Sequence, residues 1–434
     1  MDTHPTSRPT IEHAPLRCAT AGSVDDGKST LLGRLLFDAK ALMADQLEHV
    51  EEASRRRGYA RTDLALLTDG LRAEREQGIT IDVAWRYFAT PRRRFVLADS
   101  PGHVEYTRNM VTAASQADVA IVLVDARAGL IEQTKRHLFV ARLVGVRALA
   151  IVVNKMDLVG YEHAVFARIR DEIHGYLAKL PVPGQPPELA FFPISALLGD
   201  NVVEPSAHMP WYDGPTLLAH LEGLPSETER AAAATRFFVQ WVIRPQDPAL
   251  PDYRGYAGRV SSGTLRTGQR VRVLPAGTES TITEIETLSG PLEEARAGRS
   301  CVVHLADDLS VSRGDVLVPL GGPVPELVES FVADLAWLHP TGPRAREVFL
   351  LKHGTREVRA SIESIEGELD VASGALVPSE RAVAMNTLAR VKIRVYEPIA
   401  LDAYAELRDT GSFLLVDAAS GATRAGGMAR STAH

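Results

Sequence analysis

Residues 21–30 read AGSVDDGKST, and the apolar run LLGRLL follows at once. Gly22, four intervening residues, then Gly27, Lys28 and Ser29 make the spacing GxxxxGK[ST]. A loop of this kind turns successive backbone N–H groups toward a ligand and leads into the positive end of a helix, so it suits phosphate. The stretch Gly22, Ser23, Val24, Asp25, Asp26, Gly27, Lys28, Ser29 and Thr30 is therefore read as a phosphate cradle. Its two glycines permit the tight path. Lys28 can reach β and γ oxygens, and the Ser29 hydroxyl can ligate Mg²⁺.

Around that loop, residues 16–225 alternate short apolar runs with amphipathic segments. FVLADSPGH, VAIVLVDA, ALAIVVNKMD and AFFPISAL are rich in Val, Ile and Ala, and each run meets a polar residue. Strands buried on both faces read this way, and the helical stretches between them imply βαβ units with a mostly parallel sheet. Ligands of such sheets bind at the carboxyl ends of the strands, where Asp99, Asn154 and Ser195 fall.

The later motifs decide which nucleotide the loop takes. In EREQGITIDVAWRYF, Thr80 precedes a strand, where its hydroxyl can complete a Mg²⁺ shell once a γ-phosphate is present. In ADSPGH, Asp99 ends a strand and is suited to hold Mg²⁺ through water, with Ser100 and Pro101 forming the turn. Gly102 can offer its N–H to the γ-phosphate, and His103 can orient an attacking water. Lys28, Thr80 and His103 are thus the candidate catalytic residues. In NKMD, Asn154 can meet the O6/N7 edge of a purine and Lys155 can lie across the ring, with Met156 between it and Asp157. The Asp157 carboxylate matches the N1–H and N2–H₂ donors of guanine. Adenine would set a lone pair against that carboxylate, a mismatch of about 2–4 kcal/mol. Ser195, Ala196 and Leu197 of ISAL offer backbone that can cap O6. Four such motifs in this order point to GTP with Mg²⁺.

Composition narrows the setting. The chain has 434 residues, enough for about three domains. Its net charge of −7 and lack of a long basic tract argue against nucleic acid as a partner. The basic triplets at 55–57 and 92–94 are read as a solvated helix end and a hairpin turn. Cys18 and Cys301 form no metal-binding or disulfide spacing, which fits a reducing, cytoplasmic home. No apolar run is long enough to span a bilayer, and residues 1–15 read as a frayed tail. LPSETERAAAATR is a polar linker. Beyond it, short alternating segments with Gly-centred turns predict a β-barrel over 226–325 and a second over 326–434, after a GTP-binding domain over 16–225.

The chain resembles the translation-factor superclass of GTPases, in which a G-domain is followed by two β-barrels. Within that superclass it is most similar to the large GTPase subunit of bacterial sulfate adenylyltransferase. The resemblance is carried by TAGSVDDGKSTLLGRLL, DLALLTDGLRAEREQGITIDVAWRYF, DSPGHVEYTRNMVTAAS, NKMDLVGY, WYDGPTLL and the barrel block DYRGYAGRVSSGTLRTGQRVRVLPAG. It runs from about residue 16 to 430 and thins after 335. It implies a partnership with a smaller catalytic subunit that adenylylates sulfate with ATP, the unfavourable reaction being driven by GTP hydrolysis on this chain. It also pairs Val24 with Ile79 as an apolar gate beside His103. Asp26 stands where elongation factors usually carry His. An elongation-factor-like carrier of aminoacyl-tRNA is the competing reading. It shares EREQGIT and WYDGPTLL, whereas VDDGKS and YRGYAG favour the sulfate branch. A fused adenylylsulfate kinase would need a second GxxxxGK[ST], and these residues contain none.

Overall fold

The computed structural model describes residues 14–23, 25–40, 55, 64, 84–100, 107–226, 234–245, 247–248, 252–344, 347–378 and 383–430. The chain divides into two compact units, residues 1–229 with 371–375, and residues 230–370 with 376–434. Among the described residues no helix is long and apolar enough to cross a membrane.

The first unit is built on a sheet of β1 (Leu16–Ala21), β2 (Ala84–Ala89), β3 (Arg94–Asp99), β4 (Val119–Asp125), β5 (Ala148–Asn154) and β6 (Glu188–Pro193). Their spatial order is β2-β3-β1-β4-β5-β6. β3, β1, β4, β5 and β6 run parallel, and β2 lies antiparallel at one edge. Every residue of VAIVLVD and ALAIVVN is buried, as a strand covered on both faces demands. From β1 the chain passes to β3 on one side and later to β4 on the other. The carboxyl end of β1 is therefore the switch point of the sheet, where a crevice opens. The helix Lys28–Asp38 starts there and buries Leu31, Leu32, Leu35 and Leu36 along one stripe.

The triplet at 92–94 does sit in the β2–β3 hairpin. Its middle member is not solvated. Arg93 is wholly buried, and its guanidinium donates to the carbonyls of Ala14, Glu222 and Leu224. It ties the entry of β1 to the end of the Leu217–Gly223 helix, satisfying carbonyls that a helix terminus leaves open.

The second unit holds two barrels. The first runs in the spatial order Arg270–Leu274, Val316–Pro319, Arg236–Ile243, Gly255–Ser262, Ser300–Leu305, Thr278–Thr287. It closes by antiparallel pairing of Arg270–Leu274 with Thr278–Thr287. The second runs Val348–His353, Ser412–Asp417, Thr423–Ala429, Glu326–Trp337, Leu388–Leu401, Arg356–Leu369 and closes between Val348–His353 and Arg356–Leu369. Each has its own apolar core, around Phe237, Val271 and Ile285 in the first and Leu351, Ile393 and Leu415 in the second.

The barrels also share a junction, which explains why they group as one unit. Phe238, Leu274, Val316 and Val318 of the first pack with Ala400 of the second. A Cβ on Gly354 would fall 2.6 Å from Phe238, so the second barrel's 353–356 turn needs glycine both for this approach and for its φ of +55°. Beside them, Arg236 donates to both carboxylate oxygens of Asp402 at 2.9 and 2.8 Å, with both side chains buried.

Candidate nucleotide site

The loop after β1 is shaped by its own backbone. Asp25 and Gly27 adopt left-handed conformations, with φ of 70° and 90°. Asp26 N–H donates to Ser23 O at 3.2 Å, and the Asp26 Oδ2 accepts Ser23 N–H at 2.6 Å, a reciprocal clasp across the turn. A Cβ on Gly27 would lie 2.5 Å from Asn154 Nδ2, so only glycine fits there. Lys28 is buried and donates to Gly22 O at 2.9 Å, curling back over the loop. Burial lowers its ammonium below the ordinary lysine value, while Asp99, Asp26 and Asp25 act to raise it. Anionic oxygens arriving in the loop would satisfy that ammonium better than one carbonyl does. The Ser23 and Ser100 hydroxyls are buried without a partner among the described residues. The loop thus offers a buried cation, the Ser23 hydroxyl and a helix N-terminus, a donor set that fits phosphate.

Asn154, the last residue of β5, joins three loops. Its Nδ2 donates to Asp26 O at 2.8 Å, and its Oδ1 accepts Lys155 N–H at 2.8 Å and Ala196 N–H at 2.9 Å. Protein backbone engages the amide on both ends, and one Nδ2 hydrogen remains for the expected contact with the O6/N7 edge of a base. Lys155, at φ +64°, reaches back to Asp25 O and pairs with Asp125 Oδ2 at 3.0 Å. Met156 is fully buried and anchors the 3₁₀ turn Met156–Val159. The turn carries Asp157, half-buried, with no hydrogen bond to its carboxylate among the described residues.

The strand that leads to ISAL stops at Pro193, and Ser195 forms an isolated bridge with Asp200. In the turn that follows, Ser195 N–H donates to Asp200 O, Ala196 N–H to Asn154 Oδ1, Leu198 N–H to Ser195 Oγ and Gly199 N–H to Ser195 O. Leu197 supplies the amide left over. Arg34 of the first helix braces this turn, donating to Ala196 O at 3.2 Å and Leu197 O at 2.6 Å.

At the end of β3, Asp99 is buried and its Oδ1 accepts the Thr20 hydroxyl at 3.1 Å. Among the described residues no group of three or more His, Cys, Asp or Glu gathers to hold a metal. One hydroxyl from Ser29 and one carboxylate from Asp99 acting through water would not form such a group. Their oxygen chemistry fits Mg²⁺, which keeps several waters and takes ligand phosphates. Ser29 and Thr30 open the helix, half-exposed. Val24, Ile79, Thr80, Pro101, Gly102 and His103 lie outside the described residues.

Two contributors escaped the sequence reading. Asp125 ends β4 as Asp99 ends β3, and pairs with both Lys155 and Arg127. Burial alone would raise its pKa, but hydrogen bonds from Arg127 and Lys155 outweigh that and hold it well below the usual carboxylate range. The polar stop of the run VAIVLVDA was the available signal. Arg34 had none, because its partners lie more than 160 positions along the chain.

The model of the elongation factor Tu GTP binding domain matches residues 14–238, that of elongation factor Tu domain 2 matches 256–318, and that of the eEF1A-type C-terminal domain matches 330–430. The sulfate adenylyltransferase subunit 1 of Citrobacter koseri is 44% identical over 418 residues, covering 96% of this chain and 86% of that one. The subunit 1 of Shewanella oneidensis is 44% identical over 426 residues with the same coverage. The chain belongs to the sulfate adenylyltransferase subunit 1 family. The bifunctional enzyme CysN/CysC of Mycobacterium tuberculosis H37Rv is 50% identical over 414 residues, covering 95% of this chain and 67% of that one. Among solved structures, sup35 complexed with GDP aligns over 99% of this chain at 21% identity, with a TM-score of 0.43, too loose a fit to reason from. The G-domain, mostly parallel, followed by two six-stranded barrels is the architecture expected from the sequence.

Proposed function

We propose that this chain is the GTPase subunit of a sulfate adenylyltransferase: it couples GTP hydrolysis to formation of adenylylsulfate from ATP and sulfate on a smaller catalytic partner. Kinship with proteins named subunit 1, at 44% identity across 86% of their length, supports that reading over a carrier of aminoacyl-tRNA. The single structural observation that carries the site is the Asn154 node, which binds the phosphate loop, the NKMD turn and the ISAL turn into one frame.

In this reading the N–H groups of Asp25 and of residues 27–30 receive the phosphates, the Asp26 N–H being held by Ser23 O, and Lys28 turns from Gly22 O onto the β and γ oxygens. Ser29 and Asp99, the latter through water, would hold Mg²⁺ together with Thr80, and the ion would supply positive charge to offset that of the phosphates. Asp157 accepts both guanine donors. The Leu197 N–H, left open in its turn, faces O6. Gly102 donates to the γ-phosphate, and His103 orients the attacking water, acting chiefly in the transition state. This chain then supplies energy from hydrolysis, and adenylyl transfer belongs to the partner.

Base choice tests the site. Asp157→Asn replaces two acceptors with one acceptor and one donor, which suits the C2 carbonyl of xanthine. The variant should bind xanthosine triphosphate over GTP in direct competition. An unchanged preference for GTP would remove Asp157 from the base site.

A further inference from the structure

Asp26 sets a carboxylate inside a loop that is read as receiving phosphate. It is 5% exposed, and its N–H, carbonyl and Oδ2 are all engaged. Its N–H donates to Ser23 O, its carbonyl accepts Asn154 Nδ2, and its Oδ2 accepts Ser23 N–H at 2.6 Å. The carboxylate packs close under the start of the loop, 3.4 Å from where a Cβ on Gly22 would stand. Lys28, Lys155 and Asp125 are the charged groups that act on it, and burial raises its pKa. Both lysines have other partners: Lys28 holds Gly22 O, and Lys155 holds Asp25 O and Asp125.

Two consequences pull in opposite directions. As an acceptor, the carboxylate closes the 23–26 turn and presets the loop. As a negative charge in a poorly solvated place, it opposes the phosphates that the same loop is shaped to receive. A neutral oxygen can also accept the Ser23 N–H, though more weakly, so closing the turn does not by itself require the charge. We infer that Asp26 is a positioning residue that sets how fast nucleotide leaves: it holds the loop ready through Ser23 while its charge keeps the bound phosphates from settling too tightly. A chain that must turn over GTP repeatedly gains from a site that releases GDP unaided. The inference rests on the loop binding guanine nucleotide.

The test uses the full chain with Mg²⁺ and fluorescently labelled GDP, measuring association and dissociation by stopped flow. Asp26→Asn keeps an oxygen for Ser23 N–H and removes the charge. Asp26→Ser does the same with a shorter acceptor. The expected result is GDP dissociation slowed roughly tenfold in Asp26→Asn, an association rate within about threefold of wild type, and an unchanged melting temperature without nucleotide. Asp26→Ser should also release GDP more slowly, which keeps the test decisive if the Asn variant fails to fold. A purely structural Asp26 would show the reverse: either neutral variant would melt lower and release GDP faster. Equal or faster release from well-folded neutral variants overturns the inference. Failure of the wild-type chain itself to bind GDP would instead overturn the nucleotide reading beneath it.

Discussion

Asn154→Ala is the perturbation that most directly probes how the site is held together. The side chain makes hydrogen bonds at 2.8, 2.8 and 2.9 Å to Asp26 O, Lys155 N–H and Ala196 N–H, and it is only 2% exposed. A net value of about 0.5–1.5 kcal/mol for each bond gives about 1.5–4.5 kcal/mol in all. The loss falls toward the upper end, because Asp26 O and Ala196 N–H are buried and water reaches the small gap poorly. For a unit of this size, about 4 kcal/mol corresponds to a melting shift of roughly 8–16 °C. Nucleotide binding should suffer beyond the stability loss, since three loops lose their common tie at once. Calorimetry on the chain without nucleotide reads the first effect, and GTP titration below the new melting point reads the second. A variant that melts within about 2 °C of wild type and binds GTP normally would show that the node is not what joins the loops.

Three further outcomes follow from the same contacts. Burial, with Lys28 and Arg136 nearby, pushes the His137 imidazole down to about 3, well under its unfolded value near 6.5. The unfolded chain therefore takes the proton first, and stability should fall by about 2 kcal/mol between pH 6.5 and 5 from this residue; His137→Gln should flatten that part of a melting-versus-pH curve, and an unaltered slope would count against it. Arg236→Met leaves the largely enclosed Asp402 carboxylate with the Thr410 hydroxyl but no cation and should destabilise the two-barrel unit by about 3 kcal/mol, read by chemical denaturation. Lys28→Ala removes the buried cation of the phosphate loop and should abolish GTP binding by titration while leaving the barrels' unfolding unchanged.

Much of the fold was legible because its signals are local. The seven-residue runs of β4 and β5 announce burial on both faces, and the Gly-centred hairpins announce the barrels. The motifs of the site were legible for the same reason, since each is a short spacing with its own chemistry. What the sequence withheld depends on distant pairing. Arg93 reads as one of three surface arginines until the carbonyls of Ala14, Glu222 and Leu224 close around it. Asn154 reads as a base contact, and nothing in its local pattern announces that Asp26 O and Ala196 N–H also engage its amide. The barrels read as separate domains, each with its own core. Their junction depends on distant partners, Phe238 packing with Ala400 and Arg236 meeting Asp402, 166 positions away. A local pattern names the type of residue a site needs. It does not say which partner claims that residue first.

The most direct test of the account is the yield of adenylylsulfate from the complex reconstituted with the catalytic subunit, given ATP and sulfate and then GTP or a non-hydrolysable GTP analogue. If hydrolysis on this chain drives the reaction, adenylylsulfate should accumulate with GTP far beyond the level that ATP and sulfate reach alone, and the analogue should not lift it. Accumulation that is the same with GTP, with the analogue and with neither would contradict the coupling on which the account rests.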